Sequence, residues 1–384
     1  MVRRHARFVT RVPKIIDQTV DGPSHLGRVL SGTGGVWQVR TTTGEMRDAS
    51  LRGRLKLESD SGVKLSVGDN VRVIEGERGD GWMITEILPR TSQLARREPG
   101  GRAGERVVVA NLDQVIVVFA AANPEPHPRM LDRFLVIAEA NSLAARVVIN
   151  KTDLSDEEVI RVRFADYEAA GYPVHLTSAI RQTGLTELHA VFDGKTSALS
   201  GPSGVGKSSL MNSLYPGLNL RVGAISESVN KGRHTTVGAV MHPLPAGGYV
   251  ADTPGLREVG VWGLDPVDLP DCFPEFRPFI HECRFGNCSH LSEPGCAVIA
   301  AVQSGAVSAA RYDSYSRLRV ELEETEKRWS KLRCRITSRD PSTAVLARLP
   351  TFLRRSASLR VSLRAPPDAS ALALRLPIFG SSTP

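Results

Sequence analysis

From His25 to Arg97 apolar and polar residues alternate in short runs broken by Gly, Asp and Asn, which predicts strands at Gly27–Leu30, Val36–Arg40, Glu45–Ala49, Asp69–Val73 and Trp82–Ile87. Five short strands fit a small barrel, over residues 25–98. An oligonucleotide-binding fold has this content, and Arg28, Trp37, Arg40, Arg52, Arg54 and Arg72 are its candidate nucleic-acid contacts; other small barrels share the pattern. A Gly/Arg/Glu-rich linker, Arg96–Arg106, then separates two rhythms. Beyond it, apolar runs at Gln114–Phe119, Ala145–Asn150, Pro173–Thr177 and Thr196–Ser200 alternate with helical spacing at Arg129–Ala140, Asp156–Ala170 and Gly184–Val191. That alternation predicts an α/β domain with a doubly wound parallel sheet, over residues 99–268. Ala239–Pro243 and Gly248–Asp252 read as a hairpin around Pro245-Ala246-Gly247. After Pro266 the rhythm stops. A cysteine-rich stretch and one long charged helix, Arg311–Leu332, fill residues 269–333. Residues 1–24 form a basic arm, and residues 334–384, nearly free of acids, read as a basic disordered tail.

The chain has 384 residues, with 49 Lys and Arg against 41 Asp and Glu, giving a net charge of +8. The excess favours a polyanionic partner over an acidic small molecule, although a basic enzyme without such a partner has the same balance. There is no apolar run of membrane-spanning length, and the start of the chain lacks the apolar stretch of a secretory signal, so a cytoplasmic protein with no membrane partner is expected. The Arg-rich start also has the composition of a transit peptide, beside the simpler reading of a solvated arm.

Four segments place chemistry on this frame. Gly201-Pro202-Ser203-Gly204-Val205-Gly206-Lys207-Ser208 matches G-x-x-x-x-G-K-[ST] between an apolar strand and a helix that starts with Ser209. Its glycines let backbone N–H groups surround phosphates, Lys207 neutralises the outer ones, and the Ser208 hydroxyl is a Mg²⁺ ligand. Asn150-Lys151-Thr152-Asp153 ends a predicted strand, where Asp153 can accept from two adjacent donors on guanine. A helix N-cap is the plainer reading of those four residues taken alone. Thr177-Ser178-Ala179 ends the next strand with side chains small enough for Ser178 and Ala179 to bring their backbone close to a base. Asp252-Thr253-Pro254-Gly255 follows an apolar run and supplies a carboxylate for Mg²⁺ at Asp252 and a phosphate-sensing N–H at Gly255.

Between these lies Asn230-Lys231-Gly232-Arg233-His234-Thr235-Thr236, with Thr236 as candidate third Mg²⁺ ligand. Leu256 stands where Ras-like GTPases carry the glutamine that orients the attacking water, and His234 is the candidate for that role. Slow hydrolysis by the isolated chain, accelerated by a partner, is expected. Cys283-x₄-Cys288-x-His290-x₅-Cys296 offers four donors of the type that close a tetrahedral structural Zn²⁺ site.

Together the nucleotide motifs resemble those of translation-factor-like GTPases, with the base-reading pair placed before the phosphate loop. Over residues 25–332 the whole series is similar to the circularly permuted small-ribosomal-subunit biogenesis GTPases of the RsgA type. The resemblance implies a circularly permuted P-loop GTPase domain with an N-terminal OB-fold β-barrel and a C-terminal zinc-binding α-helical domain. It further implies GTP and GDP as ligands, a maturing 30S subunit as partner, 16S rRNA that stimulates hydrolysis, catalysis by His234, and zinc on Cys283, Cys288, His290 and Cys296. A monomer on the subunit is the simplest expectation. A GTP-gated RNA-binding scaffold and a P-loop kinase or ATPase are the alternatives.

Overall fold

The computed structural model describes residues 23–51, 64–76, 81–97, 105–220, 239–253 and 264–337. Packing divides the chain into one unit of Met1–Glu326 and a second of Lys327–Pro384. All elements named below belong to the first, apart from the end of the last helix.

Five strands, β1 (Ser24–Thr33), β2 (Val36–Thr41), β3 (Met46–Leu51), β4 (Asn70–Glu75) and β5 (Trp82–Ile87), close into a barrel in the order β1-β2-β3-β5-β4. The β3–β5 pair is parallel, and β1 pairs with β4 to complete the ring. Alternation decides which side chains face inward: Val29, Val39, Val71, Val73 and Ile84 are fully buried in the barrel core. Asp69 lies at its mouth, buried with Arg90 in an ion pair of 2.7 Å.

The two ends of the expected linker at Arg96–Arg106 are instead strand: β6 (Gln93–Arg97) pairs antiparallel with β7 (Glu105–Ala110), and residues 98–104 between them lie outside the described residues. Strand pairing extends into it because Leu94 and Val109 are buried in the core of the next domain, which fixes both ends.

That domain is a six-stranded sheet in the order β10-β9-β8-β11-β13-β12. Its strands are β8 (Gln114–Ala120), β9 (Ala144–Asn150), β10 (Val174–Leu176), β11 (Thr196–Ser200), β12 (Val240–Pro243) and β13 (Tyr249–Asp252). Only β12 runs antiparallel, along β13. Every residue of β8 and of β11 is buried, as central parallel strands covered on both faces require. Helices α1 (Pro128–Ala140) and α2 (Glu157–Ala169) cover one face; α3 (Leu185–Phe192) and α4 (Lys207–Leu214) cover the other. Pro128 sits at the first position of α1, where its missing N–H costs nothing. Asp156 caps α2 by accepting from the Glu158 N–H at 2.9 Å.

Beyond residue 264 three 3₁₀ turns begin at Pro266, Pro270 and Pro274. A proline at every fourth position removes the donor and crowds the preceding turn, so helix restarts and never propagates. Two helices follow, α5 (Ala297–Gln303) and α6 (Ala309–Thr337). Phe273, Phe276 and Tyr315 form the centre of this region's core, with Phe276 and Tyr315 ring centroids 5.0 Å apart.

The barrel is fixed to the sheet domain by Arg28. Its guanidinium donates to Thr196 Oγ1 at 2.7 Å and to Asn70 Oδ1 at 3.1 Å, and lies 4.9 Å from the centre of the Tyr249 ring. Arg28 is therefore a domain tether, not a nucleic-acid contact, because its guanidinium is half-buried and its donors are already engaged by Thr196 and Asn70. Arg72, paired with Glu86 at 2.9 Å, is partly neutralised as well. Arg52 and Arg54 lie outside the described residues.

Candidate guanine-nucleotide site and metal-ligand cluster

Parallel pairing places the carboxyl ends of β9, β10, β11 and β13 along one edge of the sheet, and the motif residues follow from those ends. The phosphate loop leaves β11 at Gly201, whose φ of +131° suits glycine alone. A Cβ there would come within 2.1 Å of the Val118 carbonyl oxygen on β8. Four residues later the Val205 carbonyl accepts from Asn150 Nδ2 at 3.0 Å, and Asn150 is 1% exposed. Gly206, with φ +90°, has no room for a side chain, since a Cβ would lie 2.6 Å from that same Asn150 nitrogen. Residues 150 and 206 are thus in contact despite the reversed order of their motifs.

The base-reading residues form one network with them. Asn150 Oδ1 accepts from the Thr177 hydroxyl at 3.4 Å and from the Ala179 N–H at 3.3 Å. Ser178, fully buried, donates its hydroxyl to Asp153 Oδ1, and Thr152 donates its own to the Thr177 carbonyl at 3.1 Å. Lys151 takes a left-handed φ of +60° and donates to the Asn123 carbonyl. Lys207 starts α4, and its ammonium bonds the carbonyls of Gly201 and Pro202 at 2.7 and 2.6 Å, inside its own loop. Ser203 and Gly204 are exposed at the loop tip, Pro202 is half-buried, and Ser208 and Ser209 are half-buried in the first turn of α4.

Asp252 ends β13 in register with Leu199 on β11, and the buried Thr253 hydroxyl donates to the Leu199 carbonyl at 2.8 Å. His242, two residues along β12 from the partner of Asp252, was not singled out by sequence. Burial holds its imidazole pKa below the ordinary value, against the pull of Asp252. Gly255, His234, Thr235 and Thr236 lie outside the described residues. Sequence also missed the Asn123–Pro124 turn beside the phosphate loop. A proline-dense Asn123-Pro124-Glu125-Pro126 was its only signal.

The four sequence-predicted metal ligands do converge. Donor atoms of Cys283, Cys288, His290 and Cys296 all lie within 4.8 Å of one another. The Cys283 and Cys296 sulfurs are 3.9 Å apart, and each is 3.5 Å from His290 Nδ1. A tetrahedral ion with metal–sulfur bonds of ~2.3 Å puts its sulfurs roughly 3.8 Å apart, which is the Cys283–Cys296 spacing, and the donor types are those zinc takes. The Ala297 and Ile299 N–H groups point at the Cys283 and Cys296 sulfurs at 3.4 and 3.5 Å. Burial, with the neighbouring sulfurs, pushes the Cys288 thiol up to about 12, and burial lowers the His290 pKa. A cation among these donors is what would let the crowded thiols ionise. The cluster is held from outside by the Tyr312 and Tyr315 hydroxyls, which donate to the carbonyls of His290 and Ser289 at 2.8 and 2.6 Å.

Residues 87–262 match the RsgA GTPase family. A small ribosomal subunit biogenesis GTPase RsgA of Gemmatimonas aurantiaca is 62% identical over 300 residues, covering 78% of this chain and 98% of the relative. The chain belongs to the RsgA GTPase family. Another RsgA, from Chromohalobacter salexigens, is 41% identical over 77% of this chain and 85% of its own length. Among solved structures, YjeQ from Thermotoga maritima superposes with a TM-score of 0.65 at 36% identity, covering 78% of this chain and 99% of its own. YloQ, described as a circularly permuted GTPase, gives 0.63 at 29% identity over 84% and 99%. The family's fold is thus the one found here: a permuted GTPase domain with a barrel before it and a Cys/His-bearing helical region after it. Among the described residues no helix is long and apolar enough to cross a membrane.

Proposed function

We propose that this chain binds and hydrolyses GTP and uses that cycle to assist late maturation of the small (30S) ribosomal subunit. The observation that carries the reading is the hydrogen bond from Asn150 to the Val205 carbonyl. It brings a guanine-reading motif against a phosphate loop 55 residues further along the chain, so that both can serve one nucleotide. The relatives named above are called small ribosomal subunit biogenesis GTPases, which supports the subunit as partner; contact with its 16S rRNA, a monomeric state and a cytoplasmic location extend the reading.

In this reading Asp153, oriented by Ser178, accepts from guanine, while the Ala179 N–H and Asn150 hold the base edge. Residues 201 to 206 present backbone N–H groups to the phosphates, and entry of those phosphates gives Lys207 anionic partners in place of its two carbonyls. Ser208 and Asp252 would hold Mg²⁺, which neutralises charge developing on the phosphates; Thr236, Gly255 and the water-orienting His234 complete the set from sequence. Cys283, Cys288, His290 and Cys296 would hold one structural Zn²⁺. The domains divide at about residues 98, 268 and 333.

Single-turnover GTP hydrolysis, with and without purified small subunits, tests the proposal. Strong stimulation is expected in wild type and its loss in His234→Ala, with nucleotide affinity retained. Turnover that ignores the subunits would favour a GTP-gated scaffold. Asp153→Asn should relax the preference for GTP over ATP, and equal competition by ATP in wild type would remove the guanine reading.

A further inference from the structure

One helix connects the nucleotide edge to the metal-bearing region. Residues 121–127 leave β8 beside the phosphate loop, where the Asn123 carbonyl accepts from Lys151 and Pro124 Cδ lies 3.7 Å from where a Cβ on Gly204 would stand. The segment then enters α1, whose next turn carries Asp132 and, one turn on, Val136. Both are buried, and both belong to the far side: Val136 joins the cluster of Phe273, Phe276, Cys296 and Tyr315. Asp132 accepts from Arg311 Nη1 on α6, in a pair whose two side chains are each 2% exposed.

Arg311 is held on every side. Glu275 accepts from its Nε at 2.7 Å and its Nη2 at 3.2 Å, and its guanidinium lies 4.8 Å from the Phe273 ring centre and 5.3 Å from that of Tyr167. Surface pairs Arg129–Asp313, at 3.2 Å, and Arg133–Glu321 continue the same seam in water. Charges withdrawn from solvent are compensated only while donors and acceptors keep one geometry, so α1 cannot slide or turn on α6 without a large cost. A surface ion pair alone imposes no such constraint.

We propose that Asp132 and Arg311 are positioning residues for the nucleotide site. They fix α1 and thereby seat the Asn123–Pro124 turn against Lys151 and the phosphate loop, so that nucleotide affinity depends on how the metal-bearing region is docked. The inference rests on the guanine-nucleotide reading of the site. Linkage makes the effect reciprocal: bound nucleotide must stabilise the α1–α6 seam by the same factor that an intact seam strengthens nucleotide binding.

The test uses the full chain with its metal. Affinity for GDP is measured by displacement of a fluorescent GDP analogue in wild type, Asp132→Asn and Val136→Ala, and amide exchange over residues 309–322 is followed in wild type with and without saturating GDP. Asp132→Asn should weaken GDP roughly tenfold, within the usual range of coupling between sites, and Val136→Ala less, in the same direction. Guanine-over-adenine preference should not move, and GDP should slow exchange in the seam. A purely structural role would lower the melting temperature and leave affinity alone. Folded variants with wild-type affinity, or exchange over 309–322 indifferent to GDP, would overturn the proposal. If Asp132→Asn fails to fold, Val136→Ala and the wild-type exchange decide. No GDP binding by wild type would sink the proposed function itself, a distinguishable outcome.

Discussion

The phosphate loop and the Cys/His cluster are the two candidate ligand sites, built in opposite ways. The loop is made of main chain: strands ending on one edge, glycines at φ +131° and +90°, and a buried Asn150 that fills the space behind them. Its shape is held by the sheet before any ligand arrives. The cluster sits among proline-started turns and two helices with no sheet, and its four donors are side chains that have better company with a cation than with one another. There the ligand helps to hold the fold, whereas at the loop the fold holds a place for the ligand.

The largest effect that this contrast predicts is from metal removal. Chelation should abolish exchange protection across residues 283–303, since a structural zinc site is worth roughly 10 kcal/mol or more, while amides of β8 and β11 keep theirs. Equal loss in both places would erase the distinction. Next is Arg311→Met, which leaves Asp132 and Glu275 buried without their cation and should cost about 3–5 kcal/mol in urea unfolding. Replacing all three with apolar residues should recover most of that loss, showing that the penalty comes from the stranded acids.

Smaller, and confined to the other site, is Gly206→Ala. A side chain at φ +90° facing Asn150 should cost of order 1–3 kcal/mol, read as roughly tenfold to hundredfold weaker GDP binding with metal content unchanged. The smallest concerns Glu293, whose carboxylate accepts from the N–H groups of Ser289, Leu291 and Ser292. Burial raises its pKa, but the hydrogen bonds from Ser289 and Ser292 outweigh this and hold it at about 2, below the ordinary 4.5. A depressed carboxyl stabilises the fold above pH 4.5 and loses that contribution as pH falls towards 2. Glu293→Gln should therefore lower the melting temperature of the metal-bound protein modestly near pH 7, and the gap to wild type should narrow as pH falls below 4.5.

Much of the fold was legible because periodicity is a local property. The five barrel strands and the helices near 128, 157 and 185 fall within a few residues of their expected places, and the proline spacing at 266, 270 and 274 accounts for the broken turns. The linker at 96–106 was misjudged, since its composition is that of a loop while its pairing depends on Leu94 and Val109 finding a core elsewhere. Arg28 was misassigned for a like reason. An arginine on a barrel strand looks the same in sequence whether it meets solvent or, as here, Thr196 and Tyr249.

Sequence by itself determined the chemistry at each end: a glycine loop with its lysine, an acidic base-reader after an apolar strand, and four soft donors within fourteen residues. Each is a matter of residue type and short spacing, which a linear pattern records. Only the tertiary structure decided that Asn150 would lie behind Gly206, that Ser178 would hold Asp153, and that Arg311 would be enclosed by Asp132 and Glu275 from two different regions. Those contacts join positions 25 to 179 residues apart, and chain order carries no distance information once strands are stacked by hydrogen bonding and burial.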